Sequence, residues 1–502
     1  MSQCAYDVGR QKQVFVDWAL IEPGYGVSWG DGRPESWEMP YGVRIAAHRP
    51  RIDDDPLVWP DQPWEGSINV YSALFEDDGL YRLYYECYAP GAGGRGAGGV
   101  AMLAYSESTD GVNWDKPTVG SVTCGGSTDN NLVYGLDLSL GRGASGASVF
   151  RDLSAPMDEQ YKLVHMGWED GEPCIFGAVS PDGLHWRALE EPLVRGYLGD
   201  TQSVVTYDEE KGRYVGYFRG WSGTGQGTWR GRRTIAYAET DRFERWPVPR
   251  TIVVPDVKDD PDVDLYTNGY ARWPRARGAR LMFPAFYRRG PDVLETHLMT
   301  SRDGVRWQRP SWEPIIPSGE PGSRWEGGVY AGQGLVSFRP DVWTLPLGPR
   351  WHTHNQARYA DARSQEPPSR GYLCRAEWRE DGFTSLEAEK EGRCATVPIR
   401  FDGRALKVNV WTRFGGEVRV ELVDAVGEEM LRSEPVAGYS FSECDPISGD
   451  VPGQIVTWNG RFDLGAWAGR PIRLRFLLRR ARLHAFQFVQ EAFEKPPSRE
   501  VE

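Results

Sequence analysis

Ser108-Thr109-Asp110-Gly111-Val112-Asn113-Trp114 is one copy of a pattern, Ser-x-Asp-Gly-x-x-Trp, whose recurrence decides the fold. Ser180-Pro181-Asp182-Gly183-Leu184-His185-Trp186 is a second copy, and Ser301-Arg302-Asp303-Gly304-Val305-Arg306-Trp307 is another. Between them Asp241-Arg242-Phe243-Glu244-Arg245-Trp246 keeps the Asp and the Trp with one residue inserted, and Glu380-Asp381-Gly382-Phe383 is a worn copy. Asp-Gly makes a tight turn because Gly takes positive φ without a Cβ clash. The Trp three residues later is placed to pack on the returning strand. Successive Trp residues lie 72, 60 and 61 positions apart, and a period of this size means blades or repeats. Five copies predict a five-bladed β-propeller.

The stretches ahead of each turn read as strands. Val70-Tyr71-Ser72-Ala73-Leu74-Phe75 leads through Glu76-Asp77-Asp78-Gly79 to 80–85, and 147–150 leads to Tyr161-Lys162-Leu163-Val164. The third repeat has 203–207 and 214–218, the fourth 270–273 and 281–283, and the fifth 334–338 and 342–345. Alternation and β-branched or aromatic content suit strands, and no long stretch carries a 3.6-residue period. The competing reading is a β-sandwich with coincidental Asp-Gly turns.

A chain of 502 residues exceeds one core, so two or three domains are expected. Net charge of −13 argues against a nucleic-acid partner, which needs a basic surface. Aromatic residues make up 12%, with 21 Trp, and Trp stacks well on sugar rings; the repeat itself accounts for four of them. Seven scattered Cys residues, with no Cys-x-x-Cys, read as reduced buried thiols. The first thirty residues hold no apolar leader core and no stretch approaches a membrane span, so a cytoplasmic protein without a membrane partner is expected.

Residues 1–60 are expected to wrap the propeller and close its last blade, within a propeller spanning 61–395. The blades fall at about 61–120, 140–195, 199–255, 262–317 and 323–390. From about 396 the period stops, and 405–410, 418–423 and 472–476 alternate as half-exposed strands do, predicting a β-sandwich over 396–490. Residues 491–502 form a polar tail.

Pro60-Asp61-Gln62-Pro63-Trp64-Glu65, the turn motifs, Asp262-Val263-Asp264-Leu265-Tyr266-Thr267-Asn268, and Trp325-Glu326 ahead of Val329-Tyr330-Ala331-Gly332 carry a resemblance. So do Cys444-Asp445-Pro446-Ile447 and the run 469–476. With them the chain resembles the five-bladed propeller glycoside hydrolases of families 32 and 43, and more closely a bacterial group with a family 32 N-terminal-like domain. A propeller followed by a sandwich is the family 32 order. The resemblance implies hydrolysis of a furanoside or related small saccharide. It fails at the family 32 signatures: no Asn-Asp-Pro occurs, Arg151-Asp152-Leu153 only approximates Arg-Asp-Pro, and Glu443-Cys444 spells Glu-Cys outside the propeller.

Propeller geometry sorts the candidates. One face, the mouth, collects the starts of first strands and the loops joining second strands to third. The far face collects first hairpins and Asp-Gly turns, which makes Asp110, Asp152, Asp182 and Asp303 turn formers. The mouth receives Glu65, Asp200, Asp264 and Glu326 as candidate catalytic carboxylates. Glu86, Arg142, Gln202, Arg219, Trp221, Tyr266, Asn268, Tyr287, Trp325 and His354 join them as candidate substrate-binding residues. Glycoside hydrolysis needs one carboxyl to protonate the leaving oxygen and another as nucleophile or base. Glu326 is the preferred acid, because an apolar wall such as Trp325 raises a carboxyl pKa.

The Gly-rich run 91–99 lacks the Lys-Ser/Thr ending of a phosphate loop and reads as a mouth loop. His352 and His354 have no third ligand by spacing, so no metal site or cofactor is expected. Some family 43 relatives carry a central ion, and the resemblance leaves room for a structural calcium. Two further functions compete: a catalytically silent carbohydrate-binding propeller, motivated by the missing signatures, and a sialidase, whose Asp-box the turn motif approaches. Sialidases use six blades.

Overall fold

The computed structural model describes residues 5–28, 34–37, 39–90, 100–135, 143–223, 231–355, 370–425 and 434–490. They are all-β, without an α-helix, and are arranged as several small sheets. The chain divides into two compact units. One comprises residues 1–48, 273–279 and 379–502, and the other residues 49–272 and 280–378.

The second unit holds the repeats. Its first sheet contains Ser67–Asp77, Leu80–Tyr88, Met102–Ser108 and Leu132–Tyr134 in that order. A second contains Ser145–Arg151, Tyr161–Glu169, Glu172–Ser180 and Arg187–Ala188. Val204–Asp208, Arg213–Trp221, Arg233–Thr240 and Arg250–Val253 make a third. The fourth repeat is split into two three-stranded sheets. Val263–Leu265 pairs with Ala285–Arg288 and then Val293–Thr296, while Tyr270–Arg272 pairs with Arg280–Met282 and then Met299–Ser301. Two residues explain the break. Gly269 takes φ of +53° between the first pair of strands, and Pro284 lacks the N–H to continue the ladder between the second. In the fifth repeat Gly328–Ala331 and Val336–Arg339 both pair with Val342–Arg350, then Leu373–Arg379 follows, and Arg51–Val58 from near the N-terminus lies outermost.

Each repeat contacts the next through its turn motif or first strands. The motif folds as its residues dictate: Asp110 Oδ1 accepts the N–H groups of Val112 and Asn113, both at 2.8 Å, and Ser108 Oγ accepts that of Gly111 at 2.8 Å. A Cβ at Gly111 would meet Phe338 of the fifth repeat, one at Gly183 would meet Tyr84 of the first, and one at Gly304 would meet Tyr217 of the third. Glycine is therefore needed at these turns for close approach as well as for positive φ. The second and third repeats join where Tyr214 donates to Asp152 Oδ2 at 2.6 Å, and the fourth and fifth where Thr296 donates to Val329 O at 2.8 Å.

The other unit is one eight-stranded sheet built on two long strands, Ala405–Asp424 and Ile472–Val489, with Thr384–Ala395 beside them. Between Thr412 and Glu417 the register slips, and Gly415 turns at φ of +71°. On either side of that slip Leu406, Val408 and Val410, then Val418, Val420 and Leu422, all enter a single core with Phe476 and Phe486. The N-terminal segment divides between the units. Tyr6–Gly9, Gln13–Val14 and Arg44–Ala47 pair in this sheet, whereas Arg51–Val58 pairs in the fifth repeat. No helix among the described residues is long and apolar enough to cross a membrane.

Candidate functional site

The first strands are tied together by buried amides. Gln202 Nε2 donates to Ser72 O at 2.8 Å and to Ala147 O at 2.7 Å, linking three repeats. Asn268 Nδ2 donates to Gln202 O at 3.3 Å and Tyr217 O at 3.1 Å. Gln333 accepts from Ser148 Oγ at 2.7 Å and donates to Val149 O at 3.2 Å. Gln202 and Asn268, expected at the substrate, have their side-chain amides turned to the scaffold. A calcium ion takes six to eight oxygen ligands, many of them carboxylate. This amide-lined centre does not fit one, and no group of three or more His, Cys, Asp or Glu gathers anywhere among the described residues.

Around one end of these strands lies an aromatic and cationic cluster. Asp200 precedes Val204–Asp208, and Arg219 Nη1 reaches its Oδ2 at 3.2 Å. Arg219 Nη2 donates to Tyr266 O at 2.7 Å, and its guanidinium carbon stands 4.1 Å from the Tyr266 ring centre. Arg233 approaches the same ring at 4.9 Å and binds Asp264 Oδ2 at 2.7 Å, a contact Arg289 repeats at 2.7 Å. Asp200 and Asp264 are thus joined through Arg219, Tyr266 and Arg233. Trp221 lies beside both guanidiniums, and its indole N–H is donated to Leu198 O at 3.1 Å.

Tyr266 also packs on Tyr287, Tyr330 and His354, with ring centres 6.0, 5.7 and 4.7 Å away. Tyr71 from the first repeat meets Tyr330 edge-on at 6.4 Å. Tyr287 donates to Asp292 Oδ1 at 2.7 Å, while Asn355 donates to the same oxygen at 2.7 Å. Burial opposes the charge on Asp292, but the bonds from Tyr287, Asn355 and Thr353 outweigh it and hold the carboxyl below its usual range. Burial, then the charges of Arg350 and Arg233, push the His354 imidazole down to about 3, so it is neutral near pH 7.

The other two carboxylates have separate surroundings. Glu65 is wholly buried; Lys116 Nζ lies 2.7 Å from its Oε2, and Tyr85 donates to its Oε1 at 2.5 Å. Glu326 Oε2 accepts the Gly322 N–H at 2.9 Å, closing the turn ahead of Gly328–Ala331. Trp325 directs its indole N–H to Asp54 at 3.1 Å and to Tyr372 at 3.3 Å. Glu86 is buried and accepts from Asn69 at 2.6 Å, Tyr88 at 2.7 Å and Gly146 N at 2.7 Å. Arg142 and the Gly-rich run 91–99 lie outside the described residues.

Sequence reading missed Arg233, Arg289, Arg350, Tyr71, Tyr330 and Asp292. Tyr330 and Asp292 carried a usable signal, since Tyr330 lies within the short strand Gly328–Ala331 and Asp292 immediately precedes the short strand Val293–Thr296. The arginines carried none beyond their abundance.

No family model matches the chain, and no curated protein matches it. Solved structures similar to it include a glycoside hydrolase at 11% identity, covering 66% of this chain and 92% of that one, with a TM-score of 0.47. Another is an N-acetylgalactosamine deacetylase from F. plautii at 13% identity, covering 68% and 97%, with a TM-score of 0.45. A family 43 arabinoxylan arabinofuranohydrolase from Bacillus subtilis is similar at 14% identity over 89% of this chain and 99% of that one, with a TM-score of 0.37. At these identities and scores the likeness assigns no activity to this chain.

Proposed function

We propose that the repeats form a five-bladed β-propeller, with a β-sandwich over about 396–490, and that the propeller mouth binds and hydrolyses a small saccharide, a furanoside being the first candidate. Five turn-linked repeats, each in contact with the next and the fifth in contact with the first, support the propeller. The observation that carries the function is the joining of Asp200 and Asp264 through Arg219, Tyr266 and Arg233. Two carboxylates from neighbouring first strands beside a cluster of tyrosine and tryptophan rings suit glycosyl transfer to water. One protonates the leaving oxygen while the other attacks or activates water.

Turnover of nitrophenyl furanosides and pyranosides tests this reading. Asp200→Asn and Asp264→Asn are each expected to lower kcat by about a thousandfold or more while KM changes little, since the lost interaction belongs to the transition state. Full turnover by both variants on a proven substrate overturns the assignment. Glu326 stays a candidate acid, because its carboxylate is only half-buried and needs to leave just one backbone N–H.

A second reading, a propeller that binds saccharide without cleaving it, is favoured by one feature. Asp264 is wholly buried beneath two guanidiniums, and Asp200 is held by a third. Saccharide binding without product release after prolonged incubation supports this alternative.

A further inference from the structure

Arg350 ends the strand Val342–Arg350, two residues beyond Gly348, which lies opposite Tyr330 across the antiparallel pair. Side chains two apart share a sheet face, so Arg350 stands on the Tyr330 side of the fifth repeat, at the end where Tyr266 and His354 meet Tyr330. Arg219 and Arg233 reach the same aromatic group from neighbouring strands of the third repeat. Both are paired, to Asp200 and Asp264. Arg350 is half-buried, and among the described residues no carboxylate pairs with it. Its neighbour His354, bonded to Tyr330 at 3.1 Å, offers no negative charge. Of these guanidiniums, Arg219 pairs with Asp200, and Arg233 and Arg289 pair with Asp264, whereas among the described residues Arg350 pairs with no carboxylate.

We propose that the saccharide taken by this mouth is acidic, and that Arg350 receives the carboxylate of its uronic acid residue. The proposal rests on the mouth being a saccharide site and adds the class of sugar. A planar guanidinium matches a carboxylate with two parallel N–H bonds, and partial burial strengthens them. A single unpaired guanidinium suits a singly charged carboxylate better than a doubly charged phosphate.

The test is equilibrium binding by the full chain, followed by calorimetry and by tryptophan fluorescence, with methyl glucuronide and methyl galacturonide against methyl glucoside and methyl galactoside. The uronides are expected to bind about tenfold tighter or more, and to weaken as salt rises. Arg350→Gln is expected to erase that preference, and Arg350→Lys to keep part of it. Equal binding of acidic and neutral sugars overturns the proposal, as does a preference that survives Arg350→Gln or binding of inorganic phosphate alone. Should Arg350→Gln fail to fold, the comparison of the four glycosides on the unaltered protein still decides. Hydrolysis plays no part in this readout. Uronide binding without turnover sinks the hydrolase reading and leaves this one standing, whereas turnover of neutral glycosides with no uronide preference does the reverse.

Discussion

Arg233 Nη1 lies 2.7 Å from Asp264 Oδ2, and the carboxylate it holds is wholly out of solvent. The pair joins the third repeat to the fourth, with Arg289 on the same oxygen. Asp264→Ala is expected to cost roughly 3 kcal/mol, because two guanidiniums lose their counter-charge. The figure sits at the low end of the range for broken buried pairs, since Arg289 is about half exposed and keeps its hydration. Asp264→Asn should cost less by retaining hydrogen bonds. Chemical denaturation measures both, and a loss below about 1 kcal/mol for the alanine variant would show the pair to be solvent-screened.

Asp152 and Glu443, the two residues that mimic glycosidase signatures, are expected to leave any turnover within a few-fold when changed to Ala. Asp152 accepts from Tyr214 and from Ser154 N at 2.9 Å, and Glu443 accepts from Ser440 Oγ at 2.7 Å. Both carboxylates brace turns. Asp152→Ala should still lower stability by about 1–3 kcal/mol, because the Tyr214 hydroxyl loses a charged acceptor. A thousandfold fall in kcat for folded Asp152→Ala contradicts this placement.

Gln333→Ala should separate scaffold from chemistry. The amide bridges Ser148 and Val149, and its loss leaves buried partners unsatisfied at about 1–3 kcal/mol. The expected outcome is a lower Tm with an unchanged KM for any proven substrate. A selective change in KM with no change in Tm would place Gln333 at the ligand instead.

The parts that sequence could reach are those whose cause is local. An Asp-Gly turn is fixed by Asp110, Gly111 and Ser108 alone, so the repeat could be read without the fold. The split in the fourth repeat was hidden because 270–273 and 281–283 look like ordinary strands, while Gly269 and Pro284 beside them break both ladders. Among the candidate acids, position before a first strand drew attention to Asp200, Asp264 and Glu65 alike. What differs between them is the cation each meets. Arg233 lies 31 residues from Asp264, and Lys116 lies 51 from Glu65, so strand pairing rather than local pattern decides which carboxylate joins the aromatic cluster.

Acid should unfold the chain through its buried imidazoles before its carboxylates. Burial, then Arg309 and Arg288, push His297 down to about 3, and burial, then Arg350, does the same to His354. Burial, then Arg482, lowers His48 to about 4. Each of these groups binds its proton more weakly folded than unfolded, where the value is 6.5. Their stabilising effect is therefore complete above about pH 6.5, and it falls as pH drops from there toward about 3, because the unfolded chain takes up protons that the folded chain refuses. Asp182 adds a second, lower window. Burial opposes its charge, but the His185 N–H and ring bonds prevail and hold it at about 2 against 3.8 unfolded, so its contribution disappears between about pH 4 and pH 2. Denaturation midpoints measured from pH 7 to pH 4 should decline, and His297→Gln should flatten that slope by close to one proton. A stability that stays level to pH 5 in the unaltered chain, or an unchanged slope in a folded His297→Gln variant, refutes the assignment.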